Sequence, residues 1–208
     1  MPWPFARNVS TVNSDTTGAS SSPSTRFAFK LAAQLAGNDS PNVFFSPSSV
    51  MLCLAMVHEL ASGETRKVME KTLEIADLDP PGAQLAISSL KAAFRPRPNV
   101  TVTEANSLWC AEGARILPEL AARLRDVYDA EMTALDFSAT DAIPRINEWV
   151  SNKTDGMIGH ILDRLSPLTV LVAINAVYFK GRWTTPFIRT VTRDGPFTTA
   201  TGEKNNCP

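Results

Sequence analysis

Val170-Leu171-Val172-Ala173-Ile174-Asn175-Ala176-Val177-Tyr178-Phe179 is the run on which the reading of the fold turns. Apart from Asn175 it is apolar on both faces, which predicts a strand lying centrally in a sheet covered on both sides. An amide in such a run costs roughly a few kcal/mol if left unpaired, so Asn175 needs buried hydrogen-bond partners. It is either a satisfied core amide or a polar lock between elements that can part. The strand alone leaves both open.

Working outward, Val100-Thr-Val-Thr-Glu-Ala-Asn-Ser-Leu-Trp-Cys110 alternates and is β-branched, hence a second strand, with a third over 131–137 marked by Thr133, Leu135 and Phe137. Pro118 opens a helix with Leu117, Leu120, Leu124, Val127 and Tyr128 at helical spacing. Ile143, Ile146, Trp149 and Val150 define another from about Asp141 to Gly156. Upstream, Ser46-Pro47 is a helix start, because the serine oxygen caps free N–H groups and proline needs none. The following Val50–Val57 is apolar on every side, which predicts a helix buried all round and stopped by Gly63. Two amphipathic helices follow, one with Val68, Met69, Leu73 and Ile75, the other after Pro80-Pro81 with Ile87, Leu90 and Phe94. Phe27, Leu31, Gln34 and Leu35 form a first helix ending at Gly37-Asn38, and Asn42–Phe45 is a short strand candidate. A weaker strand is expected near 192–201. The fold class is α+β, with helices packed on a large sheet.

Residues 10–25 hold ten serines and threonines in sixteen positions, too polar for a core, so residues 1–25 read as a flexible leader and 26–208 as the folded unit. The 208 residues are 44% hydrophobic and 20% charged with a net charge of −1, a globular composition that favours neither nucleic acid nor an anionic membrane as partner. Lys91, Arg95 and Arg97 read as a solvated helix face. Cys53, Cys110 and Cys207 offer neither a disulfide framework nor a metal spacing, and with His58 and His160 the only histidines no metal or cofactor is expected. No run approaches the ~20 apolar residues of a membrane span, and no signal peptide is visible. Glycosylation triplets at Asn8, Asn38, Asn99 and Asn152 carry no weight without an export signal.

The chemistry of turnover is not evident. Ser88-x-x-Lys91 lacks the companion motifs of a serine–lysine hydrolase and sits on an amphipathic helix. His58-Glu59 lacks the second histidine of a zinc-protease helix, which leaves a capping or surface role. No catalytic residue is assigned.

Four segments nevertheless stand in a familiar order: Asn42–Ser49, Ala105-Asn-Ser-Leu-Trp109, Ile146-Asn-Glu-Trp-Val150 through Lys153–Ile158, and Ile174–Trp183 followed by Pro186-Phe187. Together they resemble the serpins, from about residue 26 to 204. The resemblance implies an innermost sheet-B strand at 42–45, three strands of a large sheet A, and a helix at 141–154 across its face carrying Asn147, Trp149 and Thr154. Ser46, Ser49 and Asn175 match the family's polar shutter, where sheet A opens, and Trp183 its breach tryptophan. It raises the polar-lock reading of Asn175. The implied activity is inhibition of a serine or cysteine protease by a suicide substrate whose cleaved loop inserts into sheet A. A non-inhibitory binding or chaperone-type relative is the alternative. An extracellular location is implied, with the cytoplasm as the other choice.

Two departures accompany the match. Leu60 stands where the family usually has a glycine, and after Gly202-Glu203-Lys204 the chain gives Asn-Asn-Cys-Pro, so a domain truncated before the reactive loop is expected, with no reactive centre in the chain. On that expectation strand 170–180 is a bare apolar edge. The chain by itself is then marginally stable and non-inhibitory.

Overall fold

The computed structural model describes residues 21–36, 43–92, 94–95, 97–166, 168–199 and 202–207. Most of the expected leader, the Gly37-Asn38 helix stop, Asn42, and the triplets at Asn8 and Asn38 lie outside those residues.

Helix α1 (Pro23–Ala36) begins three residues before the expected boundary. Ser22 explains the start: its carbonyl accepts Arg26 N–H at 3.0 Å and its hydroxyl accepts Thr25 N–H at 3.2 Å. Helix α2 (Pro47–Leu60) opens as the Ser-Pro pair predicts, with Ser46 Oγ accepting Ser49 N–H at 3.3 Å. Each residue of its apolar run is buried or half-buried. Gly63 does not end α2, which finishes at Leu60; with φ +59° it opens α3 (Gly63–Thr72) instead. Leu73 and Ile75, expected on that helix, follow it as buried plugs. Helix α4 (Pro80–Ala92) completes this layer.

Strand β1 (Val100–Ala111) leads through α5 (Pro118–Tyr128) to β2 (Ala130–Leu135), a parallel neighbour reached by a helical crossover. Asp129, at φ 51°, makes the tight turn between α5 and β2, so β2 starts slightly earlier than expected. Helix α6 (Ala142–Lys153) then crosses to β3 (Leu171–Gly181), which pairs antiparallel with β1 from Val100↔Gly181 to Cys110↔Leu171. The sheet order is β2-β1-β3. Among the described residues β1 is central and β3 forms an edge, which corrects the central position read from its two apolar faces and agrees with the bare edge expected for strand 170–180. Its apolar faces are explained by layers above and below, not by strands on both sides.

Period-two alternation sorts the side chains cleanly. Leu108, Cys110 and Ala130 join Met51, Leu52, Met56, Leu124 and Tyr128 in a core on the α2 side. Trp109, Leu135 and Ile174 join Ala142, Ile146 and Val150 in a second core on the α6 side. Each large side chain so buried contributes about 1.5–3 kcal/mol. Leu60 packs half-buried against the first core.

Val43–Phe45 forms no strand, contrary to expectation, and Phe44 is fully exposed. A strand needs a hydrogen-bonding neighbour, and none of the described residues provides one. Downstream, the weak strand materialises as β4 (Gly195–Thr198), paired antiparallel with β5 (Lys204–Cys207). The terminal stretch thus carries an element that was not anticipated. The described helices include none long and apolar enough to cross a membrane.

Candidate functional site

The register of β1 and β3 puts Asn106 directly opposite Asn175, both facing α2. Glu104, two residues earlier on β1, projects from the same face. The three form a compact polar cluster. Asn175 Nδ2 donates to Asn106 Oδ1 at 2.7 Å and to Glu104 Oε1 at 3.1 Å. Asn106 Nδ2 donates to the same Glu104 oxygen at 2.6 Å and to the Tyr128 carbonyl at 2.7 Å. From α2, the Ser49 hydroxyl donates to Asn175 Oδ1. One amide on the edge strand is thereby tied to β1 and to α2, and through Asn106 to the end of α5. No buried side-chain nitrogen or oxygen among the described residues lacks a partner.

Burial pushes the Glu104 carboxyl above its ordinary value, opposed by the Asn106 amide and Lys91; Asp129 adds to the rise and the Asn175 amide opposes it. Burial likewise raises the Cys53 thiol, which donates to the Ala173 carbonyl at 3.4 Å.

Beside this cluster the free edge of β3 opens into an apolar groove of about 390 Å³, lined on one side by Ser49, Val50, Cys53 and Leu54 and on the other by Ile161 and Leu162. Asn147 holds that second wall. Its Oδ1 accepts the N–H groups of Ile161 and Leu162, each at 3.0 Å, and its Nδ2 donates to the Leu162 carbonyl at 2.9 Å. Nδ2 also meets His160 Nδ1 at 3.0 Å, and His160 Nε2 lies 2.6 Å from Asp163 Oδ1. Thr154, buried at the end of α6, donates to the Val150 carbonyl at 2.8 Å and accepts Ile158 N–H at 3.1 Å. Trp149 donates to Glu131 Oε2 on β2 at 2.7 Å and meets Trp109 edge-on at a centroid distance of 6.5 Å. Lys153 also bonds Glu131, at 2.5 Å, and holds that carboxyl below the usual range.

Of the residues singled out from sequence, Ser49 and Asn175 are brought into contact. Ser46 caps α2, three residues before Ser49, with its hydroxyl accepting the Ser49 N–H. Trp183 lies past the end of β3, 72% exposed, with its ring edge-on to Phe187 at 5.6 Å. Glu104 and Asn106 were missed, although their i, i+2 spacing on an alternating strand places them on one face. His58 and Glu59 are not surface residues, as expected, but buried. Glu59 accepts the Tyr128 hydroxyl at 3.1 Å and pairs with Arg123 at 2.8 Å; His58 Nε2 lies 3.3 Å from Glu70 Oε1. Partners on α3 and α5 fold over them, which sequence spacing does not reveal. Lys91 is not simply solvated either, donating to the Val127 carbonyl at 2.7 Å and pairing with Asp129 at 2.5 Å. The described residues include no group of three or more side chains able to hold a metal ion.

A three-stranded mixed sheet, with α2 beneath its edge strand and α6 across its other face, makes this an α+β domain. The family model described as serpin (serine protease inhibitor) matches residues 22–208, and the chain belongs to the serpin family. It is 37% identical to an uncharacterized serpin-like protein of Thermococcus kodakarensis over 82% of this chain and 41% of that protein. It is 36% identical to the leukocyte elastase inhibitor of Bos taurus over 85% of this chain and 48% of the relative. Emu ovalbumin superposes with a TM-score of 0.82 at 25% identity, over 88% of this chain and 52% of that one. The chain spans about half the length of the relatives it matches.

Proposed function

We propose that the protein inhibits a serine or cysteine protease as a suicide substrate, and that residues 26–208 supply the part of the serpin domain carrying the opening side of sheet A. The observation that carries this reading is the cluster around Asn175 at the edge of β3, beside an apolar groove between α2 and Ile161-Leu162. A strand added there would bond to β3 by backbone groups and bury apolar side chains between α2 and the 161–162 wall. Ser49 and Asn175, with Ser46 at the helix start, act as the shutter; Trp183 serves as the breach; and Asn147, Trp149 and Thr154 fix α6 and its following loop over the sheet. None of these groups attacks a bond, so the protein is a trap and not a catalyst. Incubating the intact gene product with serine and cysteine proteases should give an SDS-stable one-to-one adduct. Clean cleavage with no adduct across the panel would reject inhibition.

A second reading, a binding protein for an apolar ligand, is favoured by a wider cavity of about 590 Å³ lined by Phe44, Phe45, Phe94, Met157, Ile158 and Phe179 among others. Retention of such a ligand without any adduct would select it. An extracellular site follows the family's habit. The three unpaired cysteines, Cys207 exposed among them, support a reducing compartment instead.

A further inference from the structure

Arg97 stands apart from the helix face with which its sequence position groups it. Arg95 lines the concavity between α4 and α5, whereas Arg97 belongs to the turn that leads into β1. Two backbone bonds close that turn, Arg97 N–H to the Val100 carbonyl at 3.3 Å and Val100 N–H to the Arg97 carbonyl at 3.0 Å. Pro98 fixes a backbone angle within it, and Asn99 takes the left-handed conformation at φ 63°. Alongside, β3 sets Lys180 opposite Thr101, and Arg182 N–H continues the ladder by donating to the Asn99 carbonyl at 3.0 Å. Alternation puts Thr101 and Lys180 on the face of Trp109 and Ile174, with Arg182 one step further on. Arg97, Asn99, Thr101, Lys180 and Arg182 together line a concavity of about 330 Å³.

Elsewhere clustered cations meet acids: Arg26 and Lys30 share Glu74, and Lys153 pairs with Glu131. Among the described residues Arg97, Lys180 and Arg182 form no ion pair. Asp155, on the same side of the sheet, is engaged by the Tyr178 hydroxyl at 3.4 Å. We propose that this concavity binds a multiply charged phosphate anion, a free polyphosphate or the polyphosphate of a nucleotide. The two guanidinium groups can each take a pair of phosphate oxygens, and the Lys180 ammonium adds a point charge. The Asn99 amide and Thr101 hydroxyl supply neutral donors. Turn and ladder bonds fix the backbone under all three cations before a ligand arrives, which confines the ordering cost to side chains. The site spans the paired side of β3, so filling it leaves the strand's other edge free.

Calorimetric titration of the whole chain with inorganic tripolyphosphate, at constant ionic strength, should show saturable one-to-one binding in the sub-millimolar range. Arg97→Gln, Lys180→Gln and Arg182→Gln should each weaken it about three- to tenfold, as expected for exposed charge-assisted bonds. Arg125→Gln removes the same charge from the exposed side of α5 and should leave affinity within about twofold of native. Lys180→Arg keeps the charge and should bind as the native chain does, which marks the loss in Lys180→Gln as one of charge and not of folding. Adenosine triphosphate identifies the source: binding about tenfold tighter than tripolyphosphate assigns the site to a nucleotide, and equal or weaker binding assigns it to free polyphosphate. A failure to saturate, or a loss in Arg125→Gln equal to that of the three site variants, would overturn the proposal.

Discussion

Toward α2 the sheet sets a polar seam of Asn106, Asn175 and Glu104 facing a serine beside the apolar core around Leu108 and Cys110, whereas toward α6 it presents Trp109, Val172 and Ile174 to Ile146 and Val150. The same two strands, β1 and β3, make both faces, so the contrast isolates chemistry from backbone pairing. Apolar packing on the α6 face is non-directional and scales with buried area. Hydrogen bonds on the α2 face contribute less net energy but demand one register, because a slip of one residue turns Asn175 into the opposite core. A seam that must separate and close again in the same register is better sealed by directional bonds than by more oil.

Substitutions on the two faces should therefore behave differently. Trp109→Ala carries the largest expected loss, about 3–5 kcal/mol by denaturant unfolding, because it removes a buried indole and leaves a cavity against Trp149 and Ile146. Asn175→Ala should cost about 1–3 kcal/mol by the same measurement, since Ser49, Asn106 and Glu104 each lose a partner. In a double-mutant cycle Ser49 and Asn175 should couple by about 0.5–3 kcal/mol, whereas Ser49 and Trp109, on opposite faces, should add independently. Asn147→Ala should lower the unfolding free energy by only about 1–2 kcal/mol yet raise exchange at Ile161 and Leu162, whose N–H groups lose their acceptor. Lys153→Ala sits at the bottom of the series, below about 1 kcal/mol, as expected of a partly exposed ion pair weakened further by salt. Equal, additive losses on both faces would erase the distinction drawn between them.

Much of this architecture was legible from residue patterns. Helices α5 and α6 announced themselves through 3–4 spacing, and α2 through Ser46-Pro47 and its unbroken apolar run. β3 was legible as a strand, but its two apolar faces alone pointed to a central position, because they report what lies above and below a strand and say nothing about its lateral neighbours; the bare edge expected for 170–180 came from the family resemblance. Val43–Phe45 failed for the converse reason: composition can favour a strand, but only a partner makes one. Asn175 stood out as the lone amide in an apolar run. Glu104 did not, because a glutamate in the first, partly exposed half of an alternating strand reads as a solvent-facing residue until the register sets it diagonally across from Asn175. Glu59 and His58 escaped notice because their partners arrive from α3 and α5.

The edge-on pair of Trp109 and Trp149 has an optical consequence. One indole belongs to the sheet and is buried, and the other rides on α6 beneath the Lys153 ammonium, which lies 5.7 Å from its ring centroid. Indoles so close exchange excitation energy, and a nearby cation shifts the emission colour of the ring it faces. Any event that lifts α6 from the sheet separates the two indoles, while Lys153 travels with Trp149 on the same helix, so the exchange between the rings reports that motion without a label.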